Sequence, residues 1–213
     1  MSQSPSPSEL AQYFGADYPL MARFAAMLAA EGIEWGMIGP READRIWSRH
    51  ILNCAALHEV APNEGDLLDL GSGAGLPGVV LAIQRPKQLI HLLEPLERRQ
   101  RWLRHVVEEL GLPNVRLIAA KAQQVAGTLS VAAVVTRAVA PLDNLLEWSA
   151  PLLAGGGQLL ALKGAKAAAE VEAVRPAQRK RWQWPPTINQ ITTIPNIQPS
   201  TIVRISREMA NRC

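Results

Sequence analysis

The run Asp66-Leu67-Leu68-Asp69-Leu70-Gly71-Ser72-Gly73-Ala74-Gly75-Leu76-Pro77-Gly78 narrows the fold of this chain more than any other stretch. Leu67–Leu70 reads as a short buried strand. It runs directly into a turn with glycine at positions 71, 73, 75 and 78. Glycine reaches positive φ and lets a ligand approach bare backbone. Pro77 stands where a helix should begin, since its missing N–H is one that a first helical turn leaves unpaired. A strand, a glycine turn and a helix start together suit the nucleoside or phosphate part of a cofactor, because the helix offers free N–H groups and the positive end of its dipole. The bland alternative is a tight turn with no ligand. Four glycines cost backbone entropy that such a turn does not require.

Two fingerprints overlap here. Gly73, Gly75 and Gly78 satisfy the dinucleotide pattern G-x-G-x-x-G. Asp69, Gly71, Gly73 and Gly75 satisfy D-x-G-x-G-x-G, the pattern of S-adenosylmethionine (SAM) enzymes. SAM carries a cationic ammonium and a cationic sulfonium, which a carboxylate at the strand end would favour, whereas a pyrophosphate would be repelled. The reading is a SAM site with Asp69 toward its polar end.

A chain of 213 residues suits one medium domain, with room for an appendage. A net charge of +3 permits nucleic-acid binding without demanding it, so the placement of the cations decides. Two cysteines, Cys54 and Cys213, are too few for a disulfide framework, and Cys213, as the last residue, is expected to be mobile. The start has neither a basic segment nor an apolar one, and no apolar run reaches membrane-spanning length. These features point to a soluble, cytoplasmic protein, expected to be monomeric and without a metal site.

The chain divides into three parts. Residues 1–8, rich in Ser and Pro, are expected to be a disordered tail. Residues 9–62 form a helical extension, with apolar spacing from Glu9 to about Ala30 and again from Arg41 to Val60. Residues 63–213 form the cofactor-binding domain. Its expected strands are Leu67–Leu70, Gln88–Leu93, Val115–Ala119, Ala132–Thr136, Gln158–Lys163, Ile188–Ile194 and Ser200–Ser206. Its expected helices are Pro77–Gln84, Leu96–Leu110, a short one near Ala122, Leu142–Leu152 and Lys166–Val174. Short apolar strands alternating with helices imply a parallel sheet buried on both faces. The last two strands have no helix between them and form an antiparallel hairpin at the sheet edge. The fold class is therefore α/β: a Rossmann-like SAM-methyltransferase fold with a seven-stranded, mostly parallel sheet and an N-terminal helical extension.

Ligands in such folds bind at the strands' carboxyl ends. Glu94, about 20 residues beyond the glycine turn, is placed to accept from both ribose hydroxyls. Glu97 is a weaker candidate, already inside the next helix. Gln123, in Ala120-Lys121-Ala122-Gln123, is placed to read the adenine edge. Strand four ends in Thr136-Arg137-Ala138, the position facing a transferred methyl group. There is no Asn/Asp-Pro-Pro-Tyr/Phe tetrad there to grip an exocyclic amine. Nor is there a cysteine to attack a pyrimidine ring. Arg137 can engage a carboxylate, a phosphate or a base edge. Its alternative is a plain salt bridge, for example to Asp143 or Glu147.

Together these residues resemble the RsmG family, also called GidB. The matching stretches are Arg49-His50-Ile51-Leu52-Asn53, Leu68 through Gly78, Thr136-Arg137-Ala138 and Leu162-Lys163-Gly164, within about residues 10 to 165. The resemblance implies SAM-dependent methylation of a guanine N7 in small-subunit (16S) ribosomal RNA, with the RNA or the small subunit as partner. It places SAM contacts on Gly71, Leu76, Ala122, Gln123 and Arg137, and it makes Arg137 and Lys163 the catalytic candidates. Family members usually carry an acid where Asn53 stands.

RNA contact needs Lys and Arg aimed at phosphates. The candidates are Arg45, Arg49 and His50; Arg98 and Arg101 with His105; and Lys163. A third group is Arg175, Arg179, Lys180 and Arg181 with Trp182 and Trp184, since aromatics beside cations can stack on unpaired bases. Each group has a bland alternative as a solvated face. Two rival functions remain open from the residues. One is a nucleotide-dependent oxidoreductase using G-x-G-x-x-G; the other is a SAM- or RNA-binding module without catalysis.

Overall fold

The computed structural model describes residues 4–137 and 139–208. Residues 1–3, Ala138 and Cys213 lie outside the described residues, and with them the expectations placed on the extreme tail, on Ala138 and on Cys213.

Helices α1 (Pro7–Phe14), α2 (Tyr18–Ala29) and α3 (Glu31–Glu34) open the chain. The first begins inside the segment expected to be a disordered tail. Ser6 accepts from the Glu9 N–H at 3.3 Å, and the Glu9 carboxylate accepts from the Ser6 N–H at 2.8 Å. This reciprocal cap satisfies two of the N–H groups that a helix start leaves unpaired, and Pro7 fits the first turn. The Arg41–Val60 helix is broken into a 3-10 turn (Pro40–Arg45), a wide π turn (Ile46–Ile51), a short α4 (Leu52–Ala55) and a second 3-10 turn (Ala56–Glu59).

The sheet follows: β1 (Leu67–Leu70), α5 (Gly78–Gln84), β2 (Ile90–Leu93), α6 (Glu97–Leu110), β3 (Val115–Ile118), β4 (Val131–Arg137), α7 (Leu142–Ser149), β5 (Leu153–Lys163), α8 (Ala167–Glu172), α9 (Pro176–Arg179), β6 (Thr187–Ile191) and β7 (Ser200–Ser206). The strand order is β3-β2-β1-β4-β5-β7-β6. β1 to β5 are parallel, and β7 lies antiparallel between β5 and β6. The expected seven-stranded mixed sheet and terminal hairpin are both present. Helix α5 starts at Gly78 rather than Pro77, which caps it.

Strand alternation sorts the core into two layers. Leu67, Ile90, Leu92, Ala133, Val135, Leu160 and Leu162 face α5, α6 and the N-terminal helices. Leu68, Leu70, Leu93, Val134, Leu159 and Ala161 face the layer of α7 and α8, where Trp182 is also buried. The N-terminal helices thus share a core with the sheet, and Met21, Phe24 and Leu28 are wholly enclosed. Their join to the sheet is pinned by Arg85, whose guanidinium donates to the carbonyls of His58, Ala61 and Pro62 at 2.6–3.1 Å. Among the described residues no helix is long and apolar enough to cross a membrane.

Candidate active site

The strand order reverses between β1 and β4, so the loops leaving their carboxyl ends diverge and open a crevice. A cavity of about 690 Å³ lies there. That is within the roughly 300–1,000 Å³ usual for small-molecule sites. One wall is the glycine turn from Gly71 to Ala74, with Leu76; another is Glu94-Pro95-Leu96 with Arg99; a third is Arg137 and Val139. The fourth comes from the N-terminal extension, through Met37, Ile38, Gly39, Glu42 and His50. A second cavity, about 540 Å³, lies beside Gly65, Arg85 and Gln88, away from the carboxyl edge of the sheet.

The turn is shaped as its glycines require. Gly71 and Gly73 have φ of +75° and +54°, in the left-handed region that side chains disfavour. Glu94 is only 2% exposed, and it holds the turn in place. Its carboxylate accepts from the Gly73 N–H and the Leu96 N–H, each at 3.0 Å, with Arg99 Nη1 at 3.7 Å. A carboxylate offers about four acceptor directions. Two therefore remain for hydroxyl groups in the cavity.

Asp69 behaves differently from its expected role. It is fully buried and is not part of the cavity wall. One oxygen accepts from the Gly78 N–H at 2.9 Å, and the other has no partner among the described residues. A Cβ on Gly78 would come within 2.6 Å of that carboxylate, so the glycine lets α5 start against Asp69. Burial pushes the Asp69 carboxyl up to about 7, opposed by the Gly78 N–H. Buried and off the cavity wall, Asp69 does not face the space where a pyrophosphate would lie. The charge argument for SAM over a dinucleotide therefore weakens.

Arg137 stands in the cavity wall but makes neither expected salt bridge. Asp143 and Glu147 are both taken by Arg175, at 2.6 Å and 3.3 Å. Arg137 instead donates to the Arg49 carbonyl at 3.2 Å and approaches His50 Nδ1 at 2.5 Å, with Cys54 Sγ at 3.9 Å. His50 Nε2 lies 2.8 Å from Glu42, which also faces Arg49 at 3.5 Å. His50 is 6% exposed with both ring nitrogens engaged, so it is not displayed to a phosphate as expected.

Lys163 is the clearest correction. Its side chain is 7% exposed, and its ammonium donates to the Ala140 carbonyl at 2.8 Å and to Glu170 at 2.7 Å. The same Glu170 oxygen accepts from the Leu142 N–H at the start of α7. The strand register explains this. Arg137 pairs with Leu162, so Lys163, one residue on, points to the opposite face of the sheet.

Of the other expected contacts, Gly71, Gly73 and Leu76 line the cavity, while Gly75, Ala122 and Gln123 do not. Ala122 is buried and Gln123 is exposed on a short 3-10 turn. Asn53 donates to Ser200 Oγ at 2.9 Å, tying the extension to β7. Arg45, Arg49, Arg98 and Arg101 are exposed as expected. His105 is paired with Glu31 and stacked on Trp35. In the third basic group Trp182 is 2% exposed and Arg179 lies over Trp184 at 4.9 Å, so these form local structure rather than a stacking surface. Sequence reasoning passed over Glu42 and Arg99. Glu42 lies seven residues before Arg49, about two helical turns, a spacing that brings the two onto one side, where they pair at 3.5 Å.

The chain matches the family model described as rRNA small subunit methyltransferase G (GidB) over residues 17–190. It belongs to that family. A curated relative named ribosomal RNA small subunit methyltransferase G, from Thermobifida fusca, is 50% identical over 176 residues, covering 82% of this chain and 74% of the relative. A protein of the same name from Renibacterium salmoninarum is 44% identical over 200 residues, 93% of each chain. Among solved structures, a methyltransferase from Geobacter sulfurreducens aligns with a TM-score of 0.52 at 16% identity, covering 89% of this chain and 88% of its own. M. jannaschii TYW2 in complex with AdoMet aligns with a TM-score of 0.55 at 17% identity, covering 76% and 78%. At those identities the structures speak for the fold alone. Membership of the rRNA small subunit methyltransferase G family makes the chain a methyltransferase and sets aside the oxidoreductase reading.

Proposed function

We propose that this chain is a cytoplasmic enzyme that methylates a guanine N7 of small-subunit (16S) ribosomal RNA, with SAM as the methyl donor. The observation carrying this reading is the cavity at the β1/β4 reversal, bounded by the glycine turn, Glu94 and Arg137, in a member of this family. The residues present fit SAM. The Gly71–Gly73 backbone admits close approach, Glu94 retains acceptor capacity for ribose hydroxyls, and Leu96 and Val139 offer exposed apolar surface at 54% and 39% for a flat ring. When bound, SAM supplies an electrophilic methyl group. Guanine N7 has a free lone pair and loses no proton, so the protein needs no general base. Its contribution is alignment of the reactants.

In this reading Arg137 donates to the guanine O6 or to a phosphate. It leaves N7 bare, since a donor on N7 would occupy the lone pair that must react. Exposed Arg45, Arg49, Arg98, Arg99 and Arg101 lie on the elements around the cavity and would draw the RNA backbone to it. Lys163 is structural in this reading: it fixes the Ala140 carbonyl and Glu170 beneath the loop after β4. The test is to incubate small ribosomal subunits and their naked RNA with the protein and methyl-labelled SAM, and to map the label. A single N7-methylated guanine is expected. Label on another base, or none, would reject the reading.

A further inference from the structure

The Arg137 guanidinium carries only donors. Nδ1 of His50, 2.5 Å from Arg137 Nη2, is therefore the acceptor. That fixes the tautomer. The ring proton sits on Nε2 and is donated to Glu42 at 2.8 Å. Glu42 and His50 come from the N-terminal extension, Arg137 from the sheet, and all three line the cavity. We propose that Glu42 and His50 are positioning residues that hold Arg137 at the cavity wall, and that they do so only while His50 is neutral. The inference rests on the reading of Arg137 as part of the transfer site.

Protonation of His50 would remove the acceptor and set an imidazolium against a guanidinium. The groups facing His50 are Arg137 from β4, Arg49 from its own turn and Glu42 from the preceding turn. Cys54 and Asp69 lie beyond it, around Arg137. Burial and the Arg137 charge hold the imidazole below its ordinary pKa, while Glu42 opposes them. The arrangement is thus intact at neutral pH and lost on acidification. The extension is thereby part of the active-site wall as well as of the core. No proton transfer to substrate is involved.

The test is the pH profile of kcat with small ribosomal subunits, from about pH 5 to about pH 8, where an imidazole titrates. The intact enzyme should lose activity on the acid side with a one-proton slope. His50→Ala should lower kcat about 10-fold or more through misplacement of Arg137, with S-adenosylhomocysteine affinity little changed. His50→Asn, whose amide oxygen can take the place of Nδ1 and does not titrate, should restore much of that loss and flatten the acid limb. Glu42→Gln can still accept from Nε2–H but no longer favours the imidazolium, so its acid limb should move to lower pH. A His50→Ala enzyme with normal kcat, or an acid limb unmoved in both His50→Asn and Glu42→Gln, would overturn the proposal. If His50→Ala fails to bind S-adenosylhomocysteine, the other two variants decide. Full activity in Arg137→Ala would instead overturn the underlying site assignment. An inactive Arg137→Ala beside a fully active His50→Ala overturns only this inference.

Discussion

Two cations end neighbouring strands of the same sheet, yet their surroundings differ completely. Arg137, at the end of β4, reaches the wall of an open cavity and is held there by a carbonyl and a neutral imidazole. Lys163, at the end of β5, is buried on the other face beneath α7 and α8, in contact with Glu170. Proximity to the carboxyl edge is therefore not enough to make a residue catalytic. Strand parity decides which layer a side chain enters, and the next layer decides whether it meets an open cavity or a carboxylate. The first region keeps donors available, while the second spends its charge on structure.

The contrast is most sharply tested by paired variants. Arg137→Ala should cut methyl transfer by about 10²-fold or more, with a small change in Tm, since misplacing a reactant by about 1 Å can have that effect. Lys163→Ala should do the reverse. It removes the ammonium from the half-buried Glu170, which keeps only the Leu142 N–H, and leaves the Ala140 carbonyl without that donor, so stability should fall by about 1–3 kcal/mol in urea denaturation. Turnover per folded molecule should stay near normal. A stable Lys163→Ala enzyme that cannot methylate RNA would return Lys163 to the RNA-binding role that its place in the sequence suggested.

Asp69, on the Arg137 face, allows a pH test. Its carboxyl is raised in the folded protein to about 7 from the usual 3.8. The unfolded chain ionises at the lower value. Its favourable contribution is therefore fully present below that value and is lost as pH rises through about 7. Asp69→Asn keeps an acceptor for the Gly78 N–H without the ionisation. The variant should thus gain stability relative to the parent between acid and alkaline pH, measured on the ligand-free protein. A parent that becomes relatively more stable with rising pH would show that ionised Asp69 is what α5 requires.

The smallest expected effect separates the exposed cations. Replacing Arg101 should reduce the slope of log K against log salt by roughly 0.7 to 0.9, as for one lost phosphate contact. Replacing Arg175, which is already paired with Asp143 and Glu147, should leave that slope unchanged. Equal slopes for both variants would mean that the ion pairs around Arg175 do not keep it from RNA.

Much of the architecture was legible because it follows from local rules. Apolar runs punctuated by glycine and proline marked all seven strands, and the missing helix before β7 marked the hairpin. Gly71, Gly73, Leu76, Glu94 and Arg137 all line one cavity because the end of a parallel strand is a fixed location in such a sheet. What was hidden depended on tertiary partners. Nothing local shows that Asp143 pairs with Arg175 rather than Arg137, since 32 residues separate them. The burial of Trp182 follows from the layer over β7 and was likewise invisible. Two misses were readable after all. The spacing from Ser6 to Glu9 marks a helix cap, which starts the helical extension at Pro7 rather than Glu9. The parity of Leu160 and Leu162 on one face assigns Lys163 to the other.

The most direct test is a crystal structure of the protein with S-adenosylhomocysteine. The account predicts the ribose against Glu94, the amino-acid end along the Gly71–Gly73 turn and the sulfur toward the Arg137–His50 wall. A ligand seated beside Arg85 and Gln88, or one whose sulfur faces the Lys163 side of the sheet, would contradict it.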